Sequence, residues 1–231
     1  FGEAAALQLT IQQTQQMVVD RPRAQFIPPI AVTEHWAGVR EMLMRERQLP
    51  IKLIDRLHSA GQIYADRRQQ LVCLNRSLTG EVNGATVVNL QGDNASRQLA
   101  HDSRRSQGWF YLESQGAGNI HKVVLLDSPL EALAYVTLHP SEERILYLAV
   151  NDGGWVPEEL KDVGEMVVAT KTELSNLPNP IERHLPKHGS WGEDLRDYLA
   201  QVQAELVRIQ PQERTASEQV VEKPRGLELG R

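Results

Sequence analysis

Cysteine is almost absent. The single Cys73 in 231 residues excludes an intrachain disulfide framework and a cysteine-rich zinc site within this chain. Aromatic residues are scarce at 5%, so a core has to be built from Leu, Val, Ile and Ala. The 41% apolar content is enough to build one. No apolar run approaches the roughly 20 residues that a bilayer-spanning helix needs. No basic stretch leads into an apolar one at the start, as it would in a secretory signal. These absences point to a soluble, cytoplasmic protein of a reducing compartment. A dominant charge is missing too. The formal net charge is -5 and no region is strongly basic, which argues against bulk coating of nucleic acid but leaves room for a local site acting through a metal. An initiating Met is also lacking: with Phe1 first, the chain is expected to have lost an N-terminal part. Its length suits one large or two small domains.

The periodicities change midway. Residues 2–19 suit a helix, broken by Asp20-Arg21-Pro22-Arg23, and Pro28-Pro29 keeps the next stretch extended. Trp36, Val39, Met42 and Leu43 have helical spacing, ended by Leu49-Pro50. Ile51, Ile54 and Leu57 mark a third helix, with Gly61 placed as its C-cap. Strands follow at residues 63–64, 70–75 and 84–90, the last two joined by a hairpin turn at 78–81. Residues 93–107 are polar and Arg-rich and read as a mobile loop, and 108–112 returns to a strand. From about 119 the pattern alternates: strand 123–126, helix 130–139, strand 145–150, short helix 157–161, strand 164–170. Such alternation predicts a parallel sheet with crossover helices. A final helix from about 193 to 209 carries Leu195, Tyr198, Leu199, Val202, Leu206 and Ile209 on one stripe. The polar tail from Pro211 reads as disordered.

The segment Val123-Val124-Leu125-Leu126-Asp127-Ser128-Pro129-Leu130-Glu131 is the sharpest chemical signal. A buried strand ends on an acid, turns, and enters a helix with a second acid. Open α/β sheets place their chemistry at such strand ends. Two readings stand. Asp127 and Glu131 form a metal-binding or acid–base pair, or they belong to a helix N-terminus, where Asp and Ser cap and an early Glu suits the dipole.

This stretch resembles the first motif of the Toprim fold, the metal-binding module of primases and type IA topoisomerases, with its Glu and Asp exchanged. Leu146-Tyr147-Leu148-Ala149-Val150-Asn151-Asp152-Gly153-Gly154 resembles that family's second strand and glycine turn. Met166-Val167-Val168-Ala169 falls where the family has a strand ending in Asp-x-Asp, which has become Lys171-Thr172-Glu173 or Thr170-Lys171-Thr172. Pro186 to Leu195 is similar to a closing Lys-Asp-Trp-Asn motif, with Ser190 and Gly192 at the Asp and Asn positions. Upstream, Leu43 to Arg47, Gly61 to Asp66, Gly84-Ala85 and Gly108-Trp109-Phe110 look like a small domain that precedes Toprim modules in plasmid-borne and relaxase-associated proteins. Phe1-Gly2-Glu3-Ala4 looks like the end of a primase-type zinc-binding domain.

The resemblance implies an α/β fold with a Toprim-like, mostly parallel sheet and flanking helices, preceded by a small α+β domain. The divisions are an N-terminal helix and linker at 1–30, the small domain at 31–115, the Toprim-like domain at 116–210 and a tail at 211–231. It further implies a nucleic-acid-associated module of a plasmid or mobile-element replication or mobilisation protein, with DNA favoured over RNA. An upstream zinc-binding domain, a relaxase or a helicase would be its protein partner. In the family, Asp127 and Glu131 would be catalytic, and with Glu173 would hold Mg²⁺. A Lys at the strand end removes ligand charge and adds repulsion, so the expectation is a degenerate site with little catalysis. The alternatives are an active Mg²⁺-dependent primase-like or nuclease-like enzyme, and a structural spacer.

Other candidates are less specific. Arg67, Arg68, Arg104 and Arg105, with His101, could contact phosphates, though an exposed polar loop is the plainer reading. Glu193 and Asp194 read as helix-start acids. His184 and His188 have a metal-binding spacing, but Pro186 between them opposes a helix. Ser128 lacks the flanks of a nucleophile elbow, and Cys73 reads as a core residue.

Overall fold

A computed structural model describes residues 25–91, 96–150, 154–174, 177 and 181–218. The helix expected over 2–19 lies outside them, as does the tail beyond 218.

Among the described residues two helices come first, α1 (Thr33–Arg45) and α2 (Ile51–Ser59). Val39, Leu43, Ile54 and Leu57 are their buried residues, the spacing that the apolar periodicity predicts. Arg40 ties the two together through a forked pair of hydrogen bonds to Asp55, at 2.7 and 2.9 Å. The end of α2 follows from Gly61 in the left-handed region (φ 66°). Gly61 N donates to the His58 carbonyl and Gln62 N to that of Leu57, at 2.8 and 2.9 Å. This double closure satisfies carbonyls that a helix otherwise leaves open.

The next four strands are β1 (Ile63–Ala65), β2 (Leu71–Arg76), β3 (Val82–Asn89) and β4 (Ser96–Leu99). They form an antiparallel sheet in that order. The expectation of a loop over 93–107 is corrected here, because residues 96–99 pair with β3. β4 is an edge strand whose residues are exposed or half-exposed, so no burial alternation marks it in the sequence.

The second sheet holds β5 (Phe110–Glu113), β6 (Ala117–Leu126), β7 (Glu143–Ala149), β8 (Glu165–Val168) and β9 (Glu182–Arg183) in the order β5-β7-β6-β8-β9. β6, β7, β8 and β9 are mutually parallel, and β5 runs antiparallel along β7. Helix α3 (Pro129–Leu138) crosses between β6 and β7. A short 3₁₀ turn (Glu158–Leu160) precedes β8, and α4 (Trp191–Glu218) closes the described chain. The fold is therefore mixed α/β with a mostly parallel sheet and flanking helices. The second half of β6, residues 123–126, is buried on both faces. Val124 and Leu126 join one apolar cluster, Val123 and Leu125 the other. That is why its core segment reads as an unbroken apolar run rather than an alternating one.

The two sheets share a core. Val39, Leu43, Ile54 and Leu71 belong to the same cluster as Leu112, Val124, Leu133 and Tyr147. Arg76 and Trp109 add a two-way backbone bridge at 2.8 and 2.9 Å. The boundary drawn at 115/116 falls between β5 and β6, both strands of the second sheet. α4 continues to Glu218, past the Pro211 at which the sequence suggests a tail.

Candidate functional site

The chain order of the second sheet reverses at β6. From β6 the chain crosses to β7 on one side, then returns to β8 on the other. Between the ends of β6 and β8 lies a topological switch point, where open α/β sheets form a crevice. Asp127 follows β6 there. Ser128, not Asp127, caps α3: its hydroxyl accepts from the Glu131 N–H at 3.3 Å. Asp127 turns instead toward the chain leaving β8. Its Oδ1 accepts from the Thr170 hydroxyl and from the Thr172 hydroxyl at 2.6 Å. Thr172 N donates to Thr170 Oγ1 at 2.9 Å, which fixes the small turn. Of the two registers open in the sequence, Thr170-Lys171-Thr172 is the one that faces Asp127.

Glu131 lies in the first turn of α3 and is partly buried. Its Oε2 accepts from Trp191 N at 2.7 Å. Burial, with the nearby Asp127 carboxylate adding to it, raises the Glu131 carboxyl above its usual range, against the Trp191 and Gly192 N–H groups and Arg97. Trp191 starts α4, and its indole N–H donates to the Ala169 carbonyl at 2.8 Å. It is 3% exposed, so one residue pins α4 to both α3 and the end of β8. The loop before α4 is organised by Asp194, which accepts from the N–H groups of Lys187 and His188 and from the His188 ring at 2.8, 2.9 and 2.7 Å. Burial works the other way, but these donors hold the Asp194 carboxyl below its ordinary range.

Around Asp127 and Glu131 opens a cavity of about 450 Å³. Arg47, Arg97 and Arg196 contribute its basic wall, and Glu46 and Glu193 add acids. Arg97 comes from β4, paired to Val88, so the small sheet supplies one side of the site. None of these three arginines is singled out by the sequence pattern. They come together only through the packing of the two sheets.

Other expected residues lie elsewhere. Glu173 does not line the cavity; its backbone carbonyl lies against Gly154. Arg67 and Arg68 occupy the turn before β2, beside the Leu71–Val88 end of the sheet. Arg104 N is bonded to the Asn83 carbonyl, placing Arg104 and Arg105 at the opposite end. The four are thus not gathered into one patch. His184 and His188 part company: His184 meets the Tyr135 hydroxyl at 2.9 Å and His188 binds Asp194. Cys73 is fully buried, and burial raises its thiol pKa.

The donor set does not fit a Mg²⁺ centre. A divalent cation of this kind wants several charged oxygen ligands in near-octahedral array. One Asp127 oxygen is taken by two hydroxyls and one Glu131 oxygen by a backbone N–H. The raised pKa of Glu131 works against its anionic form, and Thr170 and Thr172 stand where further acids would be needed, with the cationic Lys171 between them. Among the described residues no group of three or more His, Cys, Asp or Glu is arranged to hold a metal.

No protein-family model matches the chain, and no curated protein matches it. Among solved structures it is similar to primase domains. The RNA polymerase domain of the Mycobacterium tuberculosis primase DnaG shares 15% identity and a TM-score of 0.35, over 58% of this chain and 59% of that one. The primase fragment of the bacteriophage T7 primase-helicase shares 11% identity and a TM-score of 0.44, over 84% of each chain. The chain thus spans about three fifths of the first of these domains. No described helix is long and apolar enough to cross a membrane.

Proposed function

We propose that the chain is a nucleic-acid-associated, Toprim-like and primase-like module of a plasmid or mobile-element replication or mobilisation protein, acting in the cytoplasm by binding with little or no metal-dependent catalysis. The observation that carries this reading is the hold of Thr170 and Thr172 on Asp127. Where the resemblance implies a second pair of acids, two neutral hydroxyls satisfy Asp127 directly. An acidic cluster needs a cation to offset its repulsion; an acid bonded to hydroxyls does not. What remains in the crevice is a set of guanidinium groups beside a cavity, suited to phosphate contacts that position a strand without reading its bases. Arg196 is the most accessible of these, exposed and without an ion-pair partner among the described residues.

The test is fluorescence anisotropy with labelled single-stranded DNA and RNA, with and without EDTA, alongside calorimetric titration of Mg²⁺ and Mn²⁺. The expected result is binding that weakens with salt and is indifferent to EDTA, with DNA ahead of RNA. Arg196→Gln should bind about threefold to tenfold more weakly, as the loss of one phosphate contact implies. Saturable metal binding that disappears in Asp127→Ala would restore an active phosphoryl-transfer enzyme. Absence of binding to either nucleic acid would leave a spacer.

A further inference from the structure

We propose that a second cleft, between α2, β2 and β5, is an oxyanion site that takes a phosphate group. It has a volume of about 350 Å³ and shares no lining residue with the cavity around Asp127. Its walls bring two guanidinium groups together from different elements, Arg56 of α2 and Arg76 of β2. Arg56 has no hydrogen bond or ion pair from its side chain among the described residues. Arg76 is held firmly but incompletely. Its guanidinium lies 4.6 Å from the Tyr111 ring centroid, and Nη2 reaches the Tyr111 carbonyl at a long 3.5 Å. Among the described residues its buried Nε–H has no acceptor, and the buried Oε1 of Gln62, also at the cleft, has no donor.

Two cations lining one cleft repel, and a buried donor without an acceptor adds a further cost. Glu113 lines the cleft, but its Oε2 is already engaged by Arg144 Nε and Nη2, at 2.8 and 2.7 Å. The C-terminal end of α2 would disfavour an anion. However, the carbonyls of Arg56, Leu57 and His58 there are already bonded to the N–H groups of Ala60, Gln62 and Gly61. An oxyanion entering the cleft would meet the Arg76 guanidinium and the uncommitted Arg56. It would also meet the Gln62 amide, which can turn its NH₂ inward. Two forks approaching from separate elements suit a tetrahedral anion with oxygens in more than one plane, hence phosphate rather than a planar carboxylate. The phosphate could come from a nucleic-acid backbone or from a free phosphate ester.

This site is independent of the function proposed above, and its test separates the two. Inorganic phosphate would be titrated against the protein and followed by ³¹P NMR. Wild type should bind saturably. Arg56→Gln should bind about tenfold more weakly, the scale of one lost charge-assisted hydrogen bond, and Arg56 has no structural bond to lose. Arg76→Lys keeps the charge but loses the fork, and should weaken binding as well. A parallel fall in single-stranded DNA affinity in Arg56→Gln, with phosphate as competitor, identifies a backbone phosphate. Unchanged DNA affinity with phosphate binding lost identifies a free ester. The proposal is overturned if wild type shows no saturable phosphate binding, or if Arg196→Gln abolishes it while Arg56→Gln leaves it intact.

Discussion

The two acids of the crevice have been given different environments. Asp127 is satisfied by two hydroxyls and Glu131 by a backbone N–H, and burial raises the Glu131 carboxyl above its usual range. A carboxyl whose folded pKa exceeds its unfolded value binds its proton more tightly in the native state. Its contribution is complete below the unfolded pKa and is lost as pH rises through the folded one. Glu131 therefore costs stability at neutral pH. Glu131→Gln keeps an acceptor for Trp191 N and removes the charge. It should be more stable than wild type at pH 7, and the difference should shrink toward pH 4, as urea denaturation at both pH values would show. The acids themselves are legible in the sequence, because a polar residue ending an apolar run stands out. Their partners are not. Thr170 and Thr172 look like ordinary loop residues, and Arg97 sits in a segment that reads as a loop. Only the strand order brings them to Asp127.

Element boundaries follow the same division. The helices at 51–59 and 129–138 and strands β5 to β8 of the second sheet are foreseeable from apolar spacing and from Gly61 and Pro129. β9 and β4 are not, since neither buries a residue and pairing alone defines them. α4 is the element on which the crevice depends most. Ser190 accepts from Glu193 N at 3.2 Å at its start, and Trp191 reaches both Ala169 and Glu131. Trp191→Phe preserves most of the packing but leaves the buried Ala169 carbonyl without its donor. The expected cost is about 1–3 kcal/mol of unfolding free energy, measurable by urea denaturation. Any DNA binding that uses the crevice should weaken with it, since α4 carries Arg196.

At the scale of the molecule, the small antiparallel sheet and the parallel sheet are not two separate cores. One apolar cluster runs from Val39 and Ile54 through Leu112 to Tyr147 and Trp191. Losing either sheet would expose apolar surface on the other, so thermal unfolding should be a single transition. Far- and near-ultraviolet circular dichroism should give coincident midpoints. Two separated transitions would contradict the shared core. The position of β5 carries this coupling further. It reaches β7 directly from the chain of the small sheet, and it covers the flank of β7 along residues 146–149. A chain begun at 116 would keep every parallel strand yet lose that cover. The N–H and C=O groups that β5 occupies would become an open border beside Leu146 and Leu148, a template for a strand from another copy. Severing the chain at that point would thus open an edge for self-association.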